Sequence, residues 1–248
     1  MKLIKVGISG CLGRMGKDLM IQAKKDKRIN LIGGFDLKDN KTVSKDIFNK
    51  AHVVIDFSSP SAIKNNLEKA IKSNTGLVIG TTGLKAKEFK ILKNASKKIP
   101  ILVSSNMSLG VNLLFSLVQQ SASILKSMDY DIEIAETHHK HKIDAPSGTA
   151  LSLGEYAAQG RKTNLNKLKI LDRTKKIGIR KKGDIGFSVT RGGEIAGEHT
   201  VSFIGTNDRV DLVHKANNRI IFVSGAIDAA IFLAKRKPAL YSMKDLLF

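Results

Sequence analysis

Three histidines and a lysine, His138, His139, His141 and Lys142, fall within five residues, and Pro146, Ser147, Gly148 and Thr149 follow almost at once. An imidazole gains or loses a proton near neutral pH, and an ammonium adds a fixed positive charge or a proton donor. The Pro-Ser-Gly-Thr run reads as the first turn of a helix, because Ala150, Leu151, Leu153, Tyr156 and Ala157 recur behind it at helical spacing. The free amides of Ser147, Gly148 and Thr149 would then point outward together, a setting that attracts anions. Gly148 admits a ligand oxygen close to the backbone, and Ser147 and Thr149 add hydroxyl donors. The chemistry implied is a site that grips a carboxylated small molecule and protonates it; the plainer alternative is an ordinary capped helix. No metal is expected. His138 and His139 would point to opposite faces of a strand, no two of the three histidines sit four apart on a helix, and the lone Cys11 lies in another motif.

Upstream, residues 3–9 are apolar and strand-forming, and they run into Gly10, Cys11, Leu12, Gly13, Arg14, Met15 and Gly16 before a helical pattern through Leu19, Met20 and Ala23. Strand, glycine turn and helix in that order let backbone amides approach a pyrophosphate at a helix start. Leu12 stands where the dinucleotide fingerprint has a glycine, so the turn by itself is a weak signal. A second strand over residues 30–35 delivers Asp36 about 20 residues on, where an acidic group binds the adenosine ribose hydroxyls or simply makes a turn. Apolar runs at 53–57, 77–79 and 101–103 lead into Asp56-Phe57-Ser58, Gly80-Thr81-Thr82-Gly83 and Ser104-Ser105-Asn106-Met107. In an open parallel sheet these endings emerge together on the ligand-binding edge, with crossover helices over 61–72 and 85–97.

The second half changes character. Residues 109–125 read as a helix with Leu113, Leu117 and Ile124 on its buried stripe, and 131–136 as an alternating strand. The Lys- and Asn-rich residues 161–182 read as surface loop, followed by strands over 185–189, 195–203 and 210–216. These make a mixed or antiparallel sheet with one face free to pair with another subunit. Residues 220–233 form a helix expected to return to the nucleotide domain. The expected architecture is α/β: a Rossmann-like doubly wound parallel sheet in residues 1–108 plus 219–248, and a second α+β substrate and oligomerisation domain in 109–218. Two crossings between them would form a hinge that lets the halves close and expel water.

The turn at Gly10 to Gly16, the Gly80-Thr81-Thr82-Gly83 and Ser105-Asn106-Met107-Ser108 endings, and the run from His138 to Ala150 occur in an order that closely resembles the 4-hydroxy-tetrahydrodipicolinate (dihydrodipicolinate) reductase family, over nearly the whole chain. The histidine-lysine-proline-serine-glycine-threonine run is the specific part. The resemblance implies reduction of a cyclic dicarboxylate by NADH or NADPH, on the route to diaminopimelate and lysine, by a homotetramer paired through its second-domain sheets. It implies His138 as proton donor or acceptor, Lys142 as proton donor, and His139, Gly148 and Thr149 as holders of the substrate carboxylates. It places the cofactor against Gly10, Cys11, Leu12, Gly13, Arg14, Met15, Asp36, Gly80, Thr81, Thr82, Ser104, Ser105, Asn106 and Met107. Leu37 and Ser59 stand where some members carry arginines that grip the extra phosphate of NADPH, while Arg14 remains and Lys38 is near. The expectation is use of both cofactors without strong preference for NADPH.

Composition bounds the alternatives. The 248 residues carry a formal net charge of +20, with 42% hydrophobic residues and one cysteine. The lysines are spread along the chain without an aromatic-interleaved platform, which points to solvated faces and attraction of anionic substrates and cofactors rather than to nucleic acid. No apolar run approaches the roughly 20 residues that cross a bilayer, and the first residues enter strand-like sequence without a signal-peptide pattern, so cytoplasm is expected and no membrane. Two rival readings remain open at this level. One is a two-domain dehydrogenase of an aspartate-derived aldehyde, against which stands the lack of a cysteine nucleophile near the histidine run. The other is a nucleotide-sensing protein that binds nucleic acid, which would show steep salt dependence and no turnover.

Overall fold

The computed structural model describes residues 3–37, 41–127, 129–175 and 178–248, the side chains of residues 41–43 excepted. The first unit comprises Met1–Leu109 and Ile220–Phe248. It contains β1 (Ile4–Ser9), α1 (Arg14–Lys25), β2 (Ile29–Phe35), α2 (Lys41–Lys50), β3 (Val53–Asp56), α3 (Ile63–Lys72), β4 (Gly76–Ile79), α4 (Ala86–Ala95) and β5 (Ile101–Val103). The second unit, Gly110–Arg219, holds the elements that follow, and the chain closes with three more in the first.

In the second unit these are α5 (Leu109–Ile124), β6 (Asp131–His138), α6 (Gly148–Gly160), α7 (Leu165–Leu168), β7 (Lys169–Ile170), β8 (Ile185–Arg191), β9 (Gly197–Ile204) and β10 (Arg209–Ala216). The closing three are α8 (Ile220–Leu233), β11 (Leu240–Tyr241) and α9 (Met243–Leu247). The first sheet has order β11-β5-β4-β3-β1-β2 and every pairing is parallel. A doubly wound sheet needs apolar side chains on both faces, and β3 and β4 are buried at every position. Val53, Ile55, Val78 and Leu102 enter one core with Leu19 of α1 and Val223 and Ala226 of α8. Val54, Leu77, Ile79 and Ile101 enter the other with Phe48, Ile63 and Leu92.

Helix α2 is absent from the sequence expectation. It buries Ile47 and Phe48, and a Cβ at Gly7 would sit 2.4 Å from Ile47, so the helix lies close on the sheet where β1 has no side chain. The C-terminal β11 and α9 were likewise not expected; they are too short to show periodicity.

The second sheet is mixed, order β10-β9-β6-β8-β7, with β6 antiparallel to β9 and parallel to β8. One face packs Ile132, Ile134, Ile185, Phe187, Val201 and Phe203 against α5 and α6. On the other, Ala135, Ser188, Thr190 and Val213 are exposed. The stripe expected on α5 is out of phase: Leu113, Leu117 and Ile124 are 43%, 39% and 65% exposed, while Val111, Leu114, Phe115, Val118 and Ala122 are buried. Apolar residues fall on more than one side of the helix, so periodicity alone does not choose its inward face. The expected loop over 161–182 also holds α7 and the short β7. Among the described residues no helix is long and apolar enough to cross a membrane.

Candidate active site

Strand β6 runs through the middle of the second sheet and ends on His138, so Glu136 and His138, two apart, share its covered face. Neighbouring strands complete the constellation: Arg191 pairs in register with His138 from β8, and His199 with Glu136 from β9. Glu136 is 2% exposed. Its Oε2 meets Nδ1 of His138 in a short contact, and its Oε1 accepts from the Ser147 amide at 3.0 Å and from Arg191 Nη2 at 2.9 Å. Arg191 also donates to the Asp144 carbonyl at 2.6 Å, which ties down the loop before α6.

Burial would raise the Glu136 carboxyl, but Arg191, the Ser147 amide and His138 outweigh it and hold it below the ordinary carboxylate value. For His138 burial wins: together with Lys142 and Arg191 it pushes the imidazole below its usual value despite Glu136. His199, buried beside His138, is pushed down to about 4. Both rings are therefore largely neutral at pH 7. Glu136, His138 and His199 offer donor atoms within 4.8 Å of one another, a trio the spacing of His138, His139 and His141 does not reveal. Each Glu136 oxygen already has a protein partner, and the Arg191 guanidinium competes directly with any cation there.

Helix α6 begins at Gly148 with Ser147 as N-cap, so Pro146 lies outside the helix instead of in its first turn. Ser147 is held from several sides. Its hydroxyl accepts from the Ala150 amide at 3.1 Å and lies 3.2 Å from His199 Nε2, its amide goes to Glu136, and it is 2% exposed. It caps the helix, and its amide is engaged within the protein. Gly148 behaves differently: a Cβ there would meet nothing within 4 Å, so no packing demands a glycine and the space above the helix start is open. Lys142 Nζ lies 2.7 Å from Asp144 Oδ1, and the Asp144 carboxyl is held below its ordinary value by Lys142 first, with the Gly148 amide contributing. An ammonium and a helix-start amide thus converge on one carboxylate group. His139 sits beside them with a buried Nδ1 that has no partner among the described residues, whereas His141 is largely exposed near Glu194. Glu136, Asp144, Arg191 and His199 were missed as site residues; Glu136, two before His138, and Asp144, two after Lys142, carried a positional signal, and Arg191 and His199 did not.

In the first unit the expected cofactor residues gather at the C-terminal edge of the parallel sheet. Gly10 has φ +78°, and a Cβ there would strike the Phe57 carbonyl oxygen at 2.5 Å; at Gly16 it would come within 2.0 Å of the Gly10 carbonyl. Helix α1 starts at Arg14 with no side-chain cap and no acid in its first turn, which leaves its amides to an anion. Asp36 accepts from the Leu12 amide at 3.2 Å and from the Leu37 amide at 2.7 Å, placing its carboxylate beside the glycine turn. The beginning and end of that arrangement border a cavity of about 210 Å³ lined by Gly10, Asp36, Leu37, Ser58, Asn66 and Lys69.

The cradle fits a dinucleotide: glycine where a Cβ would fill it, an uncapped helix start for phosphate, and a carboxylate for ribose. Gly80 packs flat against the Phe57 ring, and Thr81 is buried with its hydroxyl 3.0 Å from Asp56 Oδ1, while Thr82 is exposed. Ser104 Oγ donates to the Asn106 carbonyl at 2.6 Å, and Ser105 is exposed. Met107 is 2% exposed and its side chain belongs to the core, so only its backbone can face a ligand. Leu37 is 70% exposed, Arg14 is exposed, and Lys38 lies outside the described residues. Lys69 on α3, with its ammonium 2.6 Å from Ser44 Oγ, is a cation of this cavity that sequence reasoning did not single out.

Comparison with known proteins gives the same answer for both units. A family model described as dihydrodipicolinate reductase, N-terminus, matches residues 4–107, and one described as dihydrodipicolinate reductase, C-terminus, matches residues 110–247. The chain is 43% identical over 248 residues to the 4-hydroxy-tetrahydrodipicolinate reductase of Zymomonas mobilis, covering 98% of this chain and 97% of that protein. It is 46% identical over 255 residues to that of Sulfurimonas denitrificans, covering 99% of each. Its fold is similar to a dipicolinate-bound dihydrodipicolinate reductase from Paenisporosarcina sp. TG-14, with TM-score 0.79 at 23% identity over 97% of this chain and 98% of that one.

Proposed function

The chain belongs to the dihydrodipicolinate reductase family, and from that premise we propose how its own residues carry out the family reaction, the reduction of 4-hydroxy-tetrahydrodipicolinate in diaminopimelate and lysine biosynthesis. NADH or NADPH, when bound, supplies the hydride; Gly10 to Met15, Asp36, Gly80 to Thr82 and the backbone of Ser104 to Met107 are the residues that would hold it.

The observation that carries the substrate reading is the convergence of the Lys142 ammonium and the Gly148 helix start on the Asp144 carboxylate, beneath open space. A substrate carboxylate would take the same partners, with His139 and Thr149 beside it, and the fixed positive charge would stabilise negative charge building up in the transition state. Lys142 is the proton donor. His138, largely neutral at pH 7 through burial, is the acceptor that returns protons to the site rather than a standing acid.

Gly148→Ala tests the anion site. The methyl group enters open space, so the fold tolerates it, but it stands where the ligand approaches. Affinity for pyridine-2,6-dicarboxylate, measured by titration calorimetry, should fall about tenfold or more while Tm is unchanged or slightly raised. Unchanged affinity would remove the helix start from the binding site.

Cofactor use follows from the ribose end. Exposed Leu37 makes no bidentate contact with a 2′-phosphate, and Lys69 supplies a point charge to the cavity while Arg14 does not line it. We read the chain as accepting both cofactors with comparable efficiency. The uncovered face of the second sheet, with Ala135, Ser188, Thr190 and Val213 exposed, is where copies would pair into a homotetramer; sedimentation as a single chain at micromolar concentration would contradict this.

A further inference from the structure

We propose that Glu136 is the positioning residue of the proton-transfer site: one buried carboxylate that holds the His138 ring with its proton on Nδ1 and locks that ring to the start of the substrate-binding helix. The inference rests on the reading of His138 as the group that exchanges protons during turnover. Glu136 spends both oxygens on three elements: Oε2 on His138 of its own strand, Oε1 on the Ser147 amide at the cap of α6 and on Arg191 of β8. A carboxylate can only accept, so the imidazole nitrogen it faces must carry the hydrogen, and Nε2 is left as the free basic site. Gly197, where φ is +153°, leaves room for this pose, since a Cβ there would lie 2.9 Å from His138 Nε2. His199 meets the ring edge-on at 5.1 Å between centroids, and its Nε2 lies 3.2 Å from Ser147 Oγ.

A buried carboxylate with both oxygens engaged is costly to leave half-paired, and here the groups engaged are the acid-base ring and the helix that receives the substrate. Glu136 thereby fixes the imidazole relative to the dicarboxylate and stabilises the imidazolium each time a proton arrives. The charged and titratable groups that face His138 are Glu136 on β6, Lys142 in the following loop, Arg191 on β8 and His199 on β9. Of these only Glu136 favours the protonated ring by direct contact.

Nitrogen NMR of the wild-type protein with labelled histidine should find neutral His138 protonated on Nδ1. Neutral His138 protonated on Nε2 would overturn the proposal without any variant having to fold. Glu136→Gln keeps an acceptor for Ser147 but presents an amide that favours the other tautomer. Its kcat should fall about 10²-fold, with Kd for NADH and for pyridine-2,6-dicarboxylate within about threefold of wild type. The His138 inflection in the pH profile of kcat/KM should move to lower pH, and the same substitution in a His138→Gln background should add little. A kcat within about threefold of wild type and an unmoved profile would overturn the proposal, as would a loss of turnover matched by loss of inhibitor binding. If His138→Gln alone retains turnover, the reading of His138 fails; if it loses turnover while Glu136→Gln leaves the profile unmoved, only the role given to Glu136 fails.

Discussion

Replacing His138 by Gln or Lys142 by Ala is expected to cut turnover about 10²- to 10⁴-fold while NADH and NADPH bind at close to wild-type affinity. The two variants should fail differently. Gln at 138 cannot titrate, but it removes no charge from the carboxylate site, so kcat falls and KM for the dicarboxylate stays near its original value. Removing the Lys142 ammonium also deprives Asp144 of the partner 2.7 Å away. An unpaired carboxylate then faces an incoming dicarboxylate, and KM should rise as kcat falls. Cofactor affinity, read by fluorescence titration, should be indifferent to both, because the glycine turn and Asp36 belong to the first unit. Equal loss of cofactor binding would mean that the histidine run supports folding rather than chemistry.

Arg191→Ala should cost about 3 kcal/mol of stability at pH 7, since it leaves the Glu136 charge buried without its guanidinium partner. The loss should depend on pH in a defined direction. In the folded protein Glu136 titrates below its ordinary value of 4.5, so its contribution is fully present above about pH 5 and drains away as pH falls through the folded value. Without Arg191, burial acts with less opposition, the carboxyl moves upward, and the charged form becomes a burden at neutral pH. The gap between wild type and variant should therefore narrow on acidification from pH 7 to pH 4. Thermal or urea unfolding at the two pH values reads this directly. A gap of constant size would show that Arg191 matters for packing alone, and a gap below about 0.5 kcal/mol would show that water already screens the pair.

The parts of this molecule that were legible in the sequence are those whose physics is local. The strand–turn–helix at Gly10 to Gly16, the buried runs of β3, β4 and β5, and the helix start at Gly148 each follow from a few adjacent residues. What was hidden depends on neighbours far along the chain. Helix α2 sits where it does because Gly7 of β1 has no side chain, and the inward face of α5 is chosen by the second sheet, not by the order of Leu113, Leu117 and Ile124. The same holds at the site. His138 and Lys142 announce themselves by type and spacing, but Arg191 and His199 reach them only through the register of β8 and β9 with β6. Ser147 likewise has partners that its neighbours in sequence do not show, its amide meeting Glu136 and its hydroxyl Ala150 and His199. A resemblance carried by motif residues supplied the reaction; it could not supply the buried carboxylate that arranges them.

Reduction of a cyclic dicarboxylate at the Lys142 and Gly148 site by a nicotinamide hydride is read by following oxidation of NADH and, separately, NADPH by the purified protein, with substrate generated in place by an upstream synthase from pyruvate and aspartate semialdehyde. Oxidation of both cofactors that requires the synthase, with kcat/KM values within about tenfold of each other, is the expected result. No oxidation of either, with both cofactors shown to bind, would contradict the account.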